Sequence, residues 1–235
     1  VSYSLRASVG MATSSTTSVA PASLPSGWQA QDLLVAVTMT NATGTPTPTD
    51  PSGWTRLITT SSAAALMLYG RWAQSGDTVP TFTWSSGVTA ADIAAFSGGP
   101  VTDLATINDK YTERASTSTS VVVFNGGSLA PTNDNSLVIM AGRMRKTGTS
   151  DGATFGSAPS TFTKFTNGFA NPNGGTQDVI WCYCIQTTKA TIATNQTLSM
   201  SIAEGAGQNT QGFGVVLKLG SPIVVPSRSL LGVGT

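Results

Sequence analysis

Residues 65–84, ALMLYGRWAQSGDTVPTFTW, alternate so strictly that they restrict this chain to β-structure. Leu66, Leu68 and Trp72 fall on one face of an extended segment, with Met67, Tyr69 and Arg71 on the other. Phe82 and Trp84 alternate in the same way with Thr81 and Thr83. A period of two with aromatic and β-branched content defines strands, and the polar Gly-Asp link over 74–78 predicts two antiparallel strands joined as a hairpin. Pro80 stands near the start of the second arm, where a missing ladder donor is best tolerated.

The remaining chain carries the same signals. Ser2–Val9 predicts a first strand, and Thr13–Val19 a weak second strand or an extended arm. After the turn Leu24–Trp28, the segment Asp32–Thr40 predicts a strand with Leu33, Val35, Val37 and Met39 inward and Thr38 and Thr40 outward. Asn41–Pro51 is a proline-held loop, followed by strands at 52–60 and at Ala90–Phe96. Charges cluster only in 101–116, which suggests a long connection with a helical turn. Further strands are expected at Ser120–Phe124, Ser136–Arg145, Thr161–Thr166 and Gln211–Leu219, with polar loops at 146–160 and 167–175. A second hairpin is expected from Asp178–Gln186 and Thr197–Ile202 across a link at 187–196. The 36 Thr and 28 Ser supply most of the polarity and suit strand faces and turns.

Taken in order, these segments repeat. LLVAVTMT, SGWTRL, LMLYGRW, TFTW and IAAF form one series; LVIMAGRM, STFTKF, VIWCYCI, LSMSI and GVVLKL form another, offset by 104 residues at Leu33/Leu137. Two strand sets in one order are what an internally duplicated sandwich of two sheets gives. The expected fold is therefore all-β: an antiparallel two-sheet sandwich, jelly-roll-like, forming a single domain over 1–220, with its halves dividing near residue 118. Residues 221–235 follow as a tail. Its prolines, Pro222 and Pro226, cannot continue a central strand, while Ile223, Val224, Val225, Leu230 and Leu231 are too apolar for a solvated terminus. That tail is expected to act either as an arm on a neighbouring subunit or as a cap on its own sheet edge.

The pattern LPxGWQAxDLLVAV, PxGWTRL, LYGRWAxSGD, TFTW and IAAFSG, spanning Leu24–Gly98, resembles β-sandwich proteins of tailed bacteriophage virions, of the head-decoration or tail-associated type. The resemblance implies a fold and a location in the virion. It carries over no functional residue, because the matching motifs are turns and strands. The implied partners are other virion proteins, either the major capsid protein or neighbouring copies in a homo-oligomer.

Composition narrows the chemistry. A net charge of +1 gives no basis for counterion-releasing nucleic-acid binding, and Arg143, Arg145 and Lys146 read as a solvated strand end. No apolar run reaches the length of a membrane-crossing helix, and the first residues are polar Ser/Thr without a secretory leader. Without histidine, Ser-His-Asp and Cys-His catalysis and His-bearing zinc sites are excluded within the chain. Cys182 and Cys184, two apart on one strand face, read as buried small hydrophobes.

A glycosidase-type carboxylate pair would be the remaining catalytic device. Yet the acids, Asp77, Asp92 and Asp178 among them, sit at turns and strand ends, so no enzyme and no cofactor is expected. The oxygen-rich loops Thr132-Asn133-Asp134-Asn135 and Asp151-Gly152 lack calcium-loop spacing and read as Asx turns. The sequons at Asn41 and Asn195 are chance matches in so Thr-rich a chain. Trp54, Trp84 and Trp181 carry core periodicity, which leaves Trp28, in a turn, as the tryptophan suited to a surface contact. Candidate partner contacts are thus Trp28, Ile223, Val224, Val225, Leu230 and Leu231. The function expected is a non-enzymatic virion protein, with a glycan- or receptor-binding module as the alternative.

Overall fold

The computed structural model describes residues 2–41, 46–60, 66–98, 103–116, 121–124, 129–145, 154–157, 161–170, 177–189, 196–201 and 209–218. The expected tail contacts at 223–225 and 230–231 lie outside the described residues. The first half supplies β1 (Ser4–Ser8), β2 (Ala12–Ser14), β3 (Ser18–Val19), β4 (Leu33–Asn41), β5 (Pro48–Thr49), β6 (Thr55–Thr59), β7 (Leu66–Trp72), β8 (Phe82–Trp84) and β9 (Val88–Ser97). A 3-10 turn, Leu104–Thr106, is capped by the Asp103 carboxylate, which accepts from the amide of Ala105. The second half supplies β10 (Asn108–Ser116), β11 (Val121–Phe124), β12 (Ser136–Arg145), β13 (Thr154–Ser157), β14 (Thr163–Ala170), β15 (Gln177–Gln186), β16 (Gln196–Ser201) and β17 (Asn209–Leu217). The chain is an all-β antiparallel sandwich.

The described strands form four hydrogen-bonded sheets where two were expected. One runs β1-β9-β4-β7-β6, with β2 as an extra partner of β9, and one runs β10-β17-β12-β15-β14. The smaller sheets run β3-β8-β5 and β11-β16-β13. The halves thus share one strand order, and they share its register: Leu33 lies opposite Trp72 and Phe96, and Leu137 opposite Ile185 and Leu217. They also share a backbone irregularity. Gln31 and Asn135, each two residues before its leucine, are the non-glycine residues with positive φ among the described residues, at 74° and 57°. Their amides donate to the carbonyls of Ala73 and Thr187, just past β7 and β15.

The two large sheets pack face to face. Leu33, Val35, Val37 and Met39 of β4 share one core with Leu137, Ile139 and Ala141 of β12, Trp181 of β15 and Phe213, Val215 and Leu217 of β17. Aromatic rings close this seam: Phe96 meets Phe165 edge-on at 6.3 Å, and Phe165 stacks on Trp181 at 3.7 Å. The other face of the first sheet is covered as well, with Leu34, Ala36, Met67, Tyr69 and Ile93 packing against Phe82 and Trp84 of β8 and Val19 of β3. Thr38 and Thr40, expected outward, are therefore buried. Thr40 meets the demand for a partner by donating to the carbonyl of Ser86 at 2.9 Å.

The covering sheet also corrects both hairpins. β7 and β8 belong to different sheets, as do β15 and β16, so each polar link carries the chain from one layer to the next. Alternation reports that a strand has an inner face, but it does not say which sheet owns the strand. Further boundaries shift as well. The halves divide before β10, not near 118, because β10 pairs with β17. The charged stretch 101–116 is mostly this edge strand. The loops 41–51 and 146–160 each hold a short strand, β5 and β13, and β14 runs on through Asn167 to Ala170.

Candidate functional site

The tetrapeptide Pro-Ser-Gly-Trp occurs twice, at 25–28 and 51–54. Each copy folds the same way. Trp28 donates its amide to the Pro25 carbonyl at 3.4 Å, and Trp54 to the Pro51 carbonyl at 3.1 Å. Gly27 and Gly53, at φ 69° and 77°, take the left-handed position that a type II turn requires of its third residue. Gly53 has a second reason to lack a side chain, since a Cβ there would fall 1.6 Å from Nη1 of Arg71.

Arg71, near the end of β7, joins this turn to the next one. Its Nη1 donates to the Ser52 carbonyl at 3.1 Å, its Nε donates to Asp77 Oδ2 at 2.9 Å, and its Nη2 meets Asp77 Oδ1. Asp77 also accepts from the amide of Gln74 at 2.9 Å. The guanidinium holds the Asp77 carboxyl below its ordinary pKa, against the opposing effect of burial. Asp77, Thr78 and Val79 become a fixed ridge between two depressions. One, of about 430 Å³, opens toward the Pro51–Trp54 turn; the other, of about 590 Å³, opens toward Pro25–Trp28.

Replacing Asp77 with alanine should cost about 1–3 kcal/mol at neutral pH, because it orphans a half-buried guanidinium and frees the ridge. The depressed pKa fixes the sign of the pH dependence. The contribution is complete above the unfolded value of 3.8 and is lost as pH falls through the lower folded one. Urea denaturation of wild type and D77A at pH 7 and pH 3 should show the gap closing at the lower pH.

Other carboxylates are similarly engaged. Arg6 Nε donates to Asp32 at 2.6 Å, and Asp32 also accepts from the amide of Gln29. Arg56 grips Asp50 through two bonds of 3.0 and 2.8 Å, and Tyr69 donates its hydroxyl to the same carboxylate. In the oxygen-rich turn Thr132-Asn133-Asp134-Asn135, Asp109 accepts from both the amide and the hydroxyl of Thr132, and Asp134 accepts from the amide of Lys189. No three His, Cys, Asp or Glu side chains converge as metal ligands among the described residues. Cys182 and Cys184 are buried free thiols, and burial raises both pKa values, which suppresses the reactive thiolate.

Asp92 differs from these. It is fully buried on β9, on the face toward the second half. Trp181 Nε1 donates to its Oδ2 at 2.8 Å and the Gly10 amide to its Oδ1 at 2.9 Å. Burial lifts its pKa to about 6 despite these donors. Although expected at a turn or strand end, it lies in the core between the halves. Asp178 lies within β15, where only its backbone is described.

Of the tryptophans, Trp54, Trp84 and Trp181 are buried as expected, at 8%, 2% and 0% exposure. Trp28 is half-buried, with part of its ring against the core beneath β8 and part lining the larger depression. Sequence reasoning singled out Trp28 but missed its surroundings. The signal available was the second Pro-Ser-Gly-Trp; that both copies flank residues 77–79 is a consequence of folding. No family model, no curated protein and no solved structure matches this chain.

Proposed function

We propose that this chain is a non-enzymatic structural protein of a tailed-phage virion, seated on the capsid surface as a decoration or minor head protein beside neighbouring copies. In this reading it is a single jelly-roll-like sandwich built from an internally duplicated strand set. The observation that carries the reading is how the first half uses its charges. Arg6–Asp32, Arg56–Asp50 and Arg71–Asp77 each tie a turn to a neighbouring strand, which produces a rigid body and leaves these acids engaged. The resemblance over Leu24–Gly98 gives that rigid body its setting, and a hydroxyl-rich chain with 10% charged residues suits an assembled particle.

Particles released by cells that encode the chain provide the test. Quantitative mass spectrometry of gradient-purified heads should find it in fixed ratio to the capsid protein. Its absence from particles, with abundance elsewhere in the culture, would overturn the proposal. The non-enzymatic part is tested on polysaccharide and peptidoglycan substrates, where no turnover is expected. Turnover abolished by alanine at Asp77, Asp92 or Asp178 would contradict it.

A further inference from the structure

We propose that the paired depressions around Asp77–Val79 form a binding site for a neutral saccharide, with Trp28 as the stacking platform. This goes beyond a role in the particle and does not depend on it. Three observations carry the inference.

The first is shape. The two depressions share one ridge, and each lies in the volume range of small-ligand sites, so together they present adjacent places for successive sugar rings.

The second is the chemistry of the walls. Ser26, Ser52, Thr78 and Thr81 line the depressions, are exposed, and have side-chain hydroxyls with no hydrogen-bond partner among the described residues. Hydroxyls that both donate and accept complement the hydroxyls of a sugar. The charged groups in the lining, Arg71 and Asp77, neutralise each other through two contacts. A charged ligand would have to compete with that pair, whereas a neutral polyol leaves it intact.

The third is that the fold does not require an aromatic residue at this turn. The counterpart before Leu137 is Pro131-Thr132-Asn133-Asp134-Asn135, which makes the same approach to its strand without tryptophan. At the other turn the second half keeps an aromatic, Phe162, in place of Trp54, and it is buried, as a core role demands. Of the two turn tryptophans, Trp28 is the one without an aromatic counterpart in the second half, and it borders the open depression.

The test uses the intact protein with maltose, cellobiose, lactose and chitobiose as probes, measured by saturation-transfer NMR and by titration of tryptophan fluorescence. At least one disaccharide should saturate with a roughly millimolar Kd. Trp28→Ala should weaken it tenfold or more. Thr78→Arg, which fills the exposed ridge and leaves the core untouched, should do the same and serves if the first variant is unstable. Saturable binding that neither folded variant weakens would overturn the proposal, as would failure of all four probes to saturate. Neither result bears on whether particles contain the chain.

Discussion

Expressed apart, residues 1–102 and 103–235 are expected to be insoluble or unfolded. Each half would present to water the inner face of its large sheet. For the first, that means Leu33, Val35, Val37, Met39, Leu66, Leu68 and Phe96; for the second, Leu137, Ile139, Trp181, Phe213, Val215 and Leu217. Burying one such side chain is worth about 1.5–3 kcal/mol, so the six or seven on either face represent about 9–21 kcal/mol, comparable to the whole of the roughly 5–15 kcal/mol that separates a folded domain from its unfolded chain. In the first half the β3-β8-β5 sheet cannot compensate, since it already covers the opposite face. Polar links cross the seam too: Asn108 donates to the Leu57 carbonyl at 2.9 Å. Circular dichroism and sedimentation of the separate fragments provide the check. Two soluble fragments, each with its own sharp melt, would contradict this expectation, and recovery of soluble protein on co-expression would strengthen it.

Asp92→Ala is expected to destabilise the protein strongly in acid and hardly at all near neutrality. Two effects oppose each other at this position. Removing the carboxyl leaves the Trp181 indole N–H and the Gly10 amide buried without acceptors, at about 1–3 kcal/mol each. Against that, burial makes the ionised carboxylate itself costly. With a folded pKa of about 6 against 3.8 unfolded, its contribution to stability is complete below 3.8 and falls away as pH rises through 6. That loss amounts to about 3 kcal/mol by pH 7. The orphaned donors therefore dominate at pH 4, where the variant should be less stable by about 2–5 kcal/mol. At pH 7.5 the two effects nearly cancel. Denaturation curves of both proteins at the two pH values separate the outcomes, and an equal gap at both would show that Asp92 does not titrate in the fold.

The strands that were easiest to read, β4 and β12, are those whose seam-facing positions hold large aliphatic residues. The opposite face of β4 was misjudged because hydroxylated residues such as Thr38 and Thr40 look like solvent positions, yet a covering sheet buries them. β10 was hidden by its charges. Asp109, Lys110, Glu113 and Arg114 look like a loop in sequence, but they line a strand at the free edge of its sheet, where charge discourages pairing with other chains. The hairpin reading of 65–84 failed for a different reason. A nine-residue link between β7 and β8 spans two layers as readily as it turns back within one, and local alternation carries no information about the layer. At the candidate site, the turn residues and Trp28 were legible from glycine and proline placement. The Arg71–Asp77 clamp that sets the ridge was not, because nothing local to Arg71 points it at Ser52 as well as Asp77.

The central structural claim is that the seam makes one cooperative body of two similar halves. Differential scanning calorimetry of the whole chain at pH 5, where Asp92 is mostly neutral, tests it most directly. One transition is predicted, with the calorimetric enthalpy equal to the van't Hoff enthalpy. Two resolved transitions, or a calorimetric enthalpy about twice the van't Hoff value, would show that the halves melt as independent units.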